Sequence, residues 1–555
     1  MLRRAWKPAL VVAAPALGYF YYSYRRQTFD LPVRERAPDG TATMTTRTLP
    51  LLSMDAVDAR IRDKATIHTV SRPGIIWHHS TASVAANDPI EDATANQVIR
   101  RDQGDGDLLF FAVMDGHGGY HTSQLLSRVL INAVALELSE LDSPAPSAPS
   151  EWLGAVKRAL WGSPTARTTQ SDVDIHVSPS SRTTLTPLPS AAEPARVARA
   201  IQKAFMSLDA ELLAAPVRVL AAALDADKKN LEIPDLSKHP LALPAMLPAM
   251  SGSCALLALL DTAHRNLYVA CTGDSRAVAG IWEPDTSEPS ADKGRWRVEV
   301  LSEDQTARNP AEAARIRGEH PADEAADVVR NGRVLGGLEP SRAFGDARYK
   351  WSSGLQETLA RAFLTGSDRA MRAPRQGFRT PPYVTARPVV THRTLELPSQ
   401  HHNQTEHSAP DNRPALRFIV LATDGLWDEL SSEDVVRLVG GHLKGLKGTV
   451  PKSALPALVP TASGTAAIEG KAARRQRDGG AKWAFVDENP SAHLIRNAFG
   501  GGDTGALRRV LSIPAPFARR HRDDVSVTVV WWESDNTQPN VTSLNIDRDE
   551  VKAKL

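Results

Sequence analysis

The chain has 555 residues, 42% of them hydrophobic and 23% charged, which is enough for a large core and for more than one domain. Its 66 basic and 64 acidic side chains nearly cancel, and this balance argues against a strongly basic surface for nucleic acid. The only cysteines, Cys254 and Cys271, are too few for a disulfide framework or a thiolate zinc site. A metal in this protein should therefore be held by oxygen ligands, which suit Mg²⁺ or Mn²⁺.

The N-terminus combines basic charge with a short apolar segment. Residues 1–29 contain five basic side chains and no acid, and the 17 residues from 8 to 24 are uncharged. That length is marginal for a membrane-spanning helix, although the tyrosines at its end suit a membrane–water interface. We expect a mitochondrial targeting segment that also anchors the protein in the inner membrane, with the side of the membrane left open. A secretory signal peptide and a segment with no membrane role are the alternatives.

The rest of the chain divides by composition. Residues 30–65 mix charge, Pro and Thr without a clear period, and we interpret them as a linker. The folded domain is expected over residues 66–535, followed by a C-terminal tail at 536–555. Two stretches rich in small residues, at about 140–195 and 446–486, are interpreted as surface insertions into this domain.

Strands and helices are predicted between these segments. Short apolar runs that stop at turn residues predict buried strands at 110–114, 254–260, 267–272, 295–301, 418–422 and 525–531. Apolar residues three or four apart predict helices at 125–134, 197–212, 312–317 and 492–499, and another that starts at 433. The order is not a regular βαβ alternation, so we expect one large α+β unit.

The strand at 110–114 delivers an acid at its tip. Asp115 is followed by Gly116, His117, Gly118 and Gly119, and the glycines allow a sharp turn and a close approach to a ligand. A metal ion can then take the Asp115 carboxylate and the carbonyl of Gly116, with His117 beside it as a proton donor. The alternative is an ordinary Asp-Gly turn after a core strand.

Further acids occupy strand ends or tight turns, namely Glu91, Asp92, Asp274, Asp424, Asp428 and Asp523. If the strands next to Asp424 and Asp523 pair antiparallel, both acids lie at the same end of one sheet. Clustered carboxylates raise one another's pKa unless a cation is present, so the set predicts a two-metal site with oxygen ligands. Any single one of these aspartates is more simply a turn former.

Short motifs recur in a fixed order between residues 85 and 535. They are Pro89–Asp92, Asp115–Gly119, Ser251–Ala255, Gly273–Arg276, Gly337–Asp346, Asp424–Asp428 and Arg522–Asp524. This set resembles the metal-dependent Ser/Thr protein phosphatases of the PPM, or type 2C, family. The form of residues 87–92 and of 493–497 looks most like the branch of the mitochondrial pyruvate dehydrogenase phosphatases.

The resemblance implies two packed antiparallel β-sheets flanked by helices, and it implies roles for the acids. Asp115 would bridge two Mg²⁺ or Mn²⁺ ions, and the carbonyl of Gly116 would join one of them. Asp424 and Asp523 would complete one site. Glu91 would complete the other.

Three further acids have weaker implied roles. Asp92 would act through water, while Asp274 and Asp428 match a third, weaker metal site.

His117 would protonate the leaving Ser or Thr oxygen, and a metal-activated hydroxide would attack the phosphorus. The implied substrate is a phosphoserine or phosphothreonine protein of mitochondria, with pyruvate dehydrogenase as the specific candidate.

The chain departs from the family pattern at three positions. Asn87 stands where many members have an arginine that clamps the phosphate, so we expect it to be a weaker, neutral substrate-binding residue. Asp524 stands where many have asparagine, which keeps an oxygen and adds charge. Cys254 stands where threonine is common, and we interpret it as a small buried residue.

Two other functions are alternatives to a phosphatase. A catalytically weak pseudophosphatase that acts as a binding module predicts the loss of at least one metal-binding acid, and none is missing from the sequence. A nuclease or similar two-metal hydrolase predicts a basic groove with interleaved aromatic residues, which the sequence does not show. We therefore expect a phosphoprotein as substrate and no nucleic-acid partner.

Overall fold

The computed structural model describes residues 27–36, 41–100, 106–142, 193–226, 232–285, 293–366, 371–396, 413–462 and 482–534. Its β-strands are β1 Thr28–Arg36, β2 Ala42–Pro50, β3 Thr66–Arg72, β4 Ile75–Val84, β5 Ala93–Arg100, β6 Asp107–His117, β7 Gly252–Asp261, β8 Asn266–Thr272, β9 Arg276–Pro284, β10 Gly294–Val300, β11 Val329–Arg330, β12 Arg333–Val334, β13 Phe344–Gly345, β14 Val389–Thr394, β15 Ala415–Ala422, β16 Gly448–Pro451, β17 Thr461–Ala462, β18 Lys482–Phe485 and β19 Val525–Ser534.

The helices lie between these strands. They are α1 Met54–Arg62, α2 His121–Ser139, α3 Pro194–Ala226, α4 Ala242–Met250, α5 Pro310–Glu319, α6 Ala325–Val328, α7 Ala347–Lys350, α8 Ser353–Phe363, α9 Asp424–Trp427, α10 Ser432–Leu443, α11 Leu455–Leu458, α12 Pro490–Ala498 and α13 Thr504–Ser512. Two short 3₁₀ helices add Glu140–Asp142 and Ala518–Arg520. The helices predicted from residue spacing are thus present as α2, α3, α5, α10 and α12.

Two β-sheets form the centre of the molecule. The first has the strand order β17-β10-β9-β15-β19-β4-β3, and the second has the order β14-β8-β7-β6-β5 with β13 added to β7. The strands pair antiparallel throughout both sheets, except that β17 runs parallel to β10.

Apolar side chains bind the layers together. One buried cluster contains residues from both sheets, including Trp77, Phe111, Leu256, Ile419 and Val530, so the sheets pack face to face. Helices α2 and α3 pack on the outer face of the second sheet, and α1, α10, α12 and α13 pack on the outer face of the first. The predicted α+β fold of two packed antiparallel sheets flanked by helices is confirmed.

The linker interpretation of residues 30–65 is wrong where the structure describes them. Strands β1 and β2 pair over nine residues each, and α1 follows with Ser53 as its N-cap. The hairpin packs through Leu31 and Val33 against Ala86 and the segment after α13. Most of its other side chains are exposed and polar, which hid the two-residue period of a strand.

The two predicted insertions have different outcomes. The first, at 140–195, lies almost wholly outside the described residues, because only 140–142 and 193–195 are among them. The second, at 446–486, has regular structure at both ends: β16 pairs with β18, and β17 extends the first sheet. Its middle, residues 463–481, is outside the described part of the chain.

The predicted membrane anchor also falls mainly outside the described residues, since residues 1–26 are not among them. Within the ranges that the structure does describe, no helix is both long and apolar enough to span a bilayer.

Candidate active site

One end of the first sheet lies next to one end of the second, and the predicted site residues lie near one another there. In the first sheet, Ala422 lies opposite Val527, so Asp424 and Asp523 follow and precede neighbouring strands at one end. The loop at 85–92 leaves β4 at this end and enters β5 of the second sheet. Antiparallel pairing, which the sequence analysis required for these two acids, is therefore present.

Asp115 is surrounded by other acids. It lies near the end of β6, opposite Cys254 of β7, and its Oδ2 accepts a hydrogen bond of 3.3 Å from the backbone N–H of Asp424. Burial raises the pKa of the Asp115 carboxyl well above its usual range. The carboxylates of Asp424, Asp92 and Asp274 raise it further. Asp115 is thus surrounded by like charges.

Asp92 lies at the bottom of this cluster and is only 3% exposed. Burial raises the pKa of Asp92 well above its usual range, and the nearby charge of Asp524 adds to the increase. Hydrogen bonds from the hydroxyls of Thr423 and Ser526 act in the opposite direction, the first with an O–O distance of 2.9 Å. These neutral donors offset the repulsion only in part.

Asp524 fixes the loop that carries Glu91. Its Oδ1 accepts from the backbone N–H groups of Ala86 and Asn87 at 2.6 and 2.9 Å, and its Oδ2 accepts from the N–H of Glu91 at 2.8 Å. The Asn87 side chain donates to the same Oδ2 at 2.9 Å. Burial raises the pKa of Glu91, as does the charge of Asp524. The Asn87 amide is therefore directed at Asp524, and its role in substrate binding stays a prediction.

Gly116 leaves room for a close approach of two chain segments. A Cβ atom at this residue would lie 2.1 Å from the carbonyl oxygen of Glu91 and 2.8 Å from Oγ of Ser123. Any larger residue would push the Glu91 loop away from β6. The packing of the site therefore requires a glycine here, whereas the implied role as a carbonyl ligand needs only the backbone.

His117 is paired with an acid that the sequence analysis did not assign. Its Nε2 lies 2.7 Å from Oδ2 of Asp346, which directly follows β13. Burial alone would lower the pKa of His117, but the charge and hydrogen bond of Asp346 raise it above its usual value. Asp346 thus favours the protonated imidazole that a general acid needs.

The remaining predicted residues lie around this centre. Asp523 forms an ion pair with Arg519, a cation four residues earlier in the chain. Asp274 accepts a hydrogen bond of 3.1 Å from the thiol of Cys254, whose pKa is raised by burial and by Asp274. Asp428 is buried at the end of α9, one turn after Asp424.

The donor set has the chemistry that a hard divalent cation requires. Carboxylate and carbonyl oxygens are the ligands of Mg²⁺ and Mn²⁺, and the mutual repulsion around Asp115 is what such a cation relieves. As placed in the described part of the chain, however, no group of three or more His, Cys, Asp or Glu residues is arranged to hold a metal ion. The acids are near one another without closing around one point.

Asp346, Asp524 and Gly252 also shape the site, although the sequence does not predict their roles. Asp346 and Gly252 belong to motifs that were recognised, but nothing in their spacing joins them to His117. For Asp524, the signal was its replacement of asparagine. That substitution indicated an added charge but not the loop that it holds.

Several known proteins are similar to this chain. A family profile described as Protein phosphatase 2C matches residues 200–462. The chain is 32% identical over 514 residues to the mitochondrial pyruvate dehydrogenase (acetyl-transferring) phosphatase 1 of Saccharomyces cerevisiae, covering 89% of this chain and 75% of that one. It is 30% identical over 514 residues to the mitochondrial phosphatase 2 of the same name in Homo sapiens, covering 87% and 84%.

A third relative matches over nearly the whole of both chains. It is a protein phosphatase 2C homolog of Schizosaccharomyces pombe, 31% identical over 532 residues, which are 94% of this chain and 95% of the relative. An identity of this level over this length shows that the chain belongs to the protein phosphatase 2C family of protein serine/threonine phosphatases.

Proposed function

We propose that this phosphatase removes phosphate from phosphoserine and phosphothreonine of mitochondrial phosphoproteins, phosphorylated pyruvate dehydrogenase among them, with the help of two divalent cations. The observation that carries the proposal is the crowding of buried like charges around Asp115, directly beside the His117–Asp346 pair. Like charges are buried together at a cost, which a bound cation would offset.

The cations would be Mg²⁺ or Mn²⁺, and the acids would provide ligands for two ions and for a weaker third. Asp115 would bridge the first two, with the carbonyl of Gly116 as a further ligand. The other ligands would be Asp424 and Asp523 for one ion, Glu91 and, through water, Asp92 for the other, and Asp274 and Asp428 for the third. When bound, such ions neutralise phosphoryl charge and lower the pKa of water.

The protein's own groups handle the leaving oxygen and the geometry. His117 donates a proton to the serine or threonine oxygen, because an alkoxide is a poor leaving group without one. Asp524 holds the loop of Glu91 through three backbone N–H groups and the Asn87 amide. The loop that carries Glu91 is thereby held in place before a substrate arrives.

The substrate proposal rests on the relatives. Two of them are mitochondrial pyruvate dehydrogenase phosphatases that match most of this chain. The basic, acid-free segment at residues 1–29 supports a mitochondrial location, and its uncharged stretch supports an anchor in the inner membrane.

Activity is tested with a phosphothreonine peptide and with phosphorylated pyruvate dehydrogenase, each in EDTA, Mg²⁺ or Mn²⁺. We expect turnover only with a divalent cation, and a higher kcat/KM on phosphorylated pyruvate dehydrogenase than on an unrelated phosphoprotein. Binding of the phosphopeptide with no turnover in any metal would favour a pseudophosphatase. Equal rates on phosphorylated pyruvate dehydrogenase and on the unrelated phosphoprotein would contradict the proposed substrate but not the proposed reaction.

Location is tested by two matched proteins in cells. A chain that starts at Gln27 keeps the whole β1–β2 hairpin, and a reporter fused to residues 1–26 carries the remaining segment alone. We expect the reporter to enter mitochondria and resist carbonate extraction, while the shortened chain stays active but leaves the membrane fraction. A shortened chain that still sediments with membranes would place the anchor elsewhere.

A further inference from the structure

The partner of His117 comes from a distant part of the chain. Asp346 lies 229 residues after His117, and its Oδ2 is 2.7 Å from Nε2 of the imidazole. It is not among the acids proposed as metal ligands. It is nevertheless only 6% exposed, so this carboxylate is buried at the edge of the site.

The two side chains meet across a glycine. His117 lies opposite Gly252 in the pairing of β6 with β7, and Gly345 lies opposite the same glycine in the pairing of β13 with β7. A Cβ atom on Gly252 would lie 2.1 Å from Nε2 of His117 and 2.4 Å from Oδ2 of Asp346. The hydrogen bond between them therefore depends on the absence of a side chain at residue 252.

The backbone of Asp346 is held in a conformation that few residues adopt. Its φ angle is 51°, in the left-handed region, where aspartate is tolerated better than most residues. Its N–H donates to the carbonyl of Ser251 at 3.0 Å, and its own carbonyl accepts from the N–H of Tyr349 at 2.7 Å. The carboxylate is thus aimed at His117 by a fixed turn.

A buried ion pair supports this turn from below. The carboxylate of Asp209, on α3, accepts from the N–H of Gly345 at 2.8 Å and from Nζ of Lys350 at 2.7 Å. Lys350 also donates to the carbonyl of Ala343 at 2.7 Å. The residue before Asp346 and the lysine four residues after it therefore both bond to Asp209 of α3, which holds the turn between them in place.

An ionised carboxylate can only accept hydrogen bonds, so the proton between the two groups belongs to Nε2 of His117. The other ring nitrogen, Nδ1, is then the atom from which a proton can be transferred. We propose that Asp346 is a positioning residue for the phosphatase reaction, which binds Nε2–H of His117 and presents Nδ1 to the leaving oxygen. The inference rests on the proposed role of His117 as general acid.

The first test compares leaving groups. Asp346→Ala should lower kcat on a phosphothreonine peptide by about 10²-fold, a large share of what general acid catalysis contributes. The loss should be about tenfold smaller on p-nitrophenyl phosphate, whose leaving group needs no proton. Asp346→Asn should lose less than Asp346→Ala, because the amide oxygen still accepts from Nε2–H. Gly252→Ala should reproduce the loss of Asp346→Ala by separating the pair.

The second test asks whether Asp346 acts through His117. In a His117→Ala background, Asp346→Ala should cause less than about a threefold further loss, since residues that act as a unit are not additive. Asp261→Asn is the matched control. Asp261 pairs with His264 at 2.8 Å and is the last residue of β7, the strand that begins at Gly252. Its substitution should not change the dependence of the rate on the leaving group.

The outcomes separate this inference from the proposed function. A wild-type protein that hydrolyses neither substrate with Mn²⁺ overturns the proposed function and this inference with it. Suppose instead that the wild type is active. The positioning role alone is overturned if the Asp346 variants lose the same share of activity on both substrates, or if Asp346→Ala causes a further large loss of activity in the His117→Ala background. The isosteric Asp346→Asn decides the question if Asp346→Ala fails to fold.

Discussion

Two buried acidic sites in this protein have opposite electrostatics. Glu312 on α5 is 6% exposed and receives hydrogen bonds from the guanidinium groups of Arg342 and Arg315 and from the hydroxyl of Ser341. Burial alone would raise its pKa, yet these donors lower the pKa of Glu312 to about 2. The charge of this carboxylate is fully compensated from within the chain.

The cluster around Asp115 is arranged differently. There, burial and neighbouring carboxylates raise the pKa of Asp115 and Asp92, and hydroxyl donors compensate only a part. Arg519 supplies a cation at the edge, where it pairs with Asp523. A buried acid whose charge is neutralised by neighbouring cations indicates a structural role. A group of buried acids without such neutralisation indicates a site that binds an external cation.

The largest effect is expected from Asp115→Asn. If Asp115 bridges the metal ions as proposed, its replacement should lower activity by more than about 10²-fold, since even groups behind a metal ligand contribute about 10–100-fold. Without metal, the free energy of unfolding should be unchanged or higher, because one like charge is gone. Steady-state kinetics with Mn²⁺ and urea unfolding in EDTA measure the two effects. Retention of more than a tenth of the wild-type rate would remove Asp115 from the metal site.

Glu312→Gln should have the opposite profile. It leaves Arg342 and Arg315 without their buried counter-ion, so the free energy of unfolding should fall by about 3–5 kcal/mol. Urea unfolding measures this loss, and Glu319→Gln is the control. Glu319 pairs with the same Arg315 from the surface, where its side chain is 52% exposed, and its removal should change stability by less than about 1 kcal/mol. Similar losses in both variants would show that Glu312 is not the centre of the network.

The same acid makes stability depend on pH in a defined window. The folded-state pKa of Glu312, about 2, lies below its ordinary value of 4.5, so its contribution is complete above pH 4.5 and disappears as the pH falls through 2. The difference corresponds to about 3 kcal/mol. Unfolding free energies of wild type and Glu312→Gln should therefore converge between these pH values. Parallel curves across the window would contradict the assignment.

The parts of this molecule that the sequence predicted are those where one local pattern decides. The apolar run into Asp115 and the alternating residues after Asp523 specify strands by themselves, and antiparallel pairing then brings their acids together. The sequence does not predict the β1–β2 hairpin, because Leu31 and Val33 are the only buried residues among those of the hairpin whose burial the structure describes. A two-residue period in so short a stretch is easily lost among exposed threonines.

The missed part of the site depends on pairing between distant segments. Asp346 reaches His117 only because the two-residue strand β13 pairs with the start of β7, and no periodicity marks a strand of that length. Likewise, the sequence predicted a phosphate contact for Asn87 from its place in a motif. Whether its amide turns to the phosphate or to Asp524 depends on a charge 437 residues later in the chain.

The smallest effect is expected from Asn87→Ala. In the structure the Asn87 amide donates to Oδ2 of Asp524 at 2.9 Å and lies 3.4 Å from Oε2 of Glu91. It therefore orders the acidic loop, and loss of these contacts should cost about 0.5–1.5 kcal/mol of unfolding free energy. The substitution removes a contact to Glu91 and no contact to the phosphate. The Mn²⁺ concentration for half-maximal activity should therefore rise, while KM for a phosphopeptide at saturating Mn²⁺ should stay the same. A higher KM at saturating Mn²⁺, with no change in metal dependence, would instead mean that the amide turns to the phosphate when substrate binds.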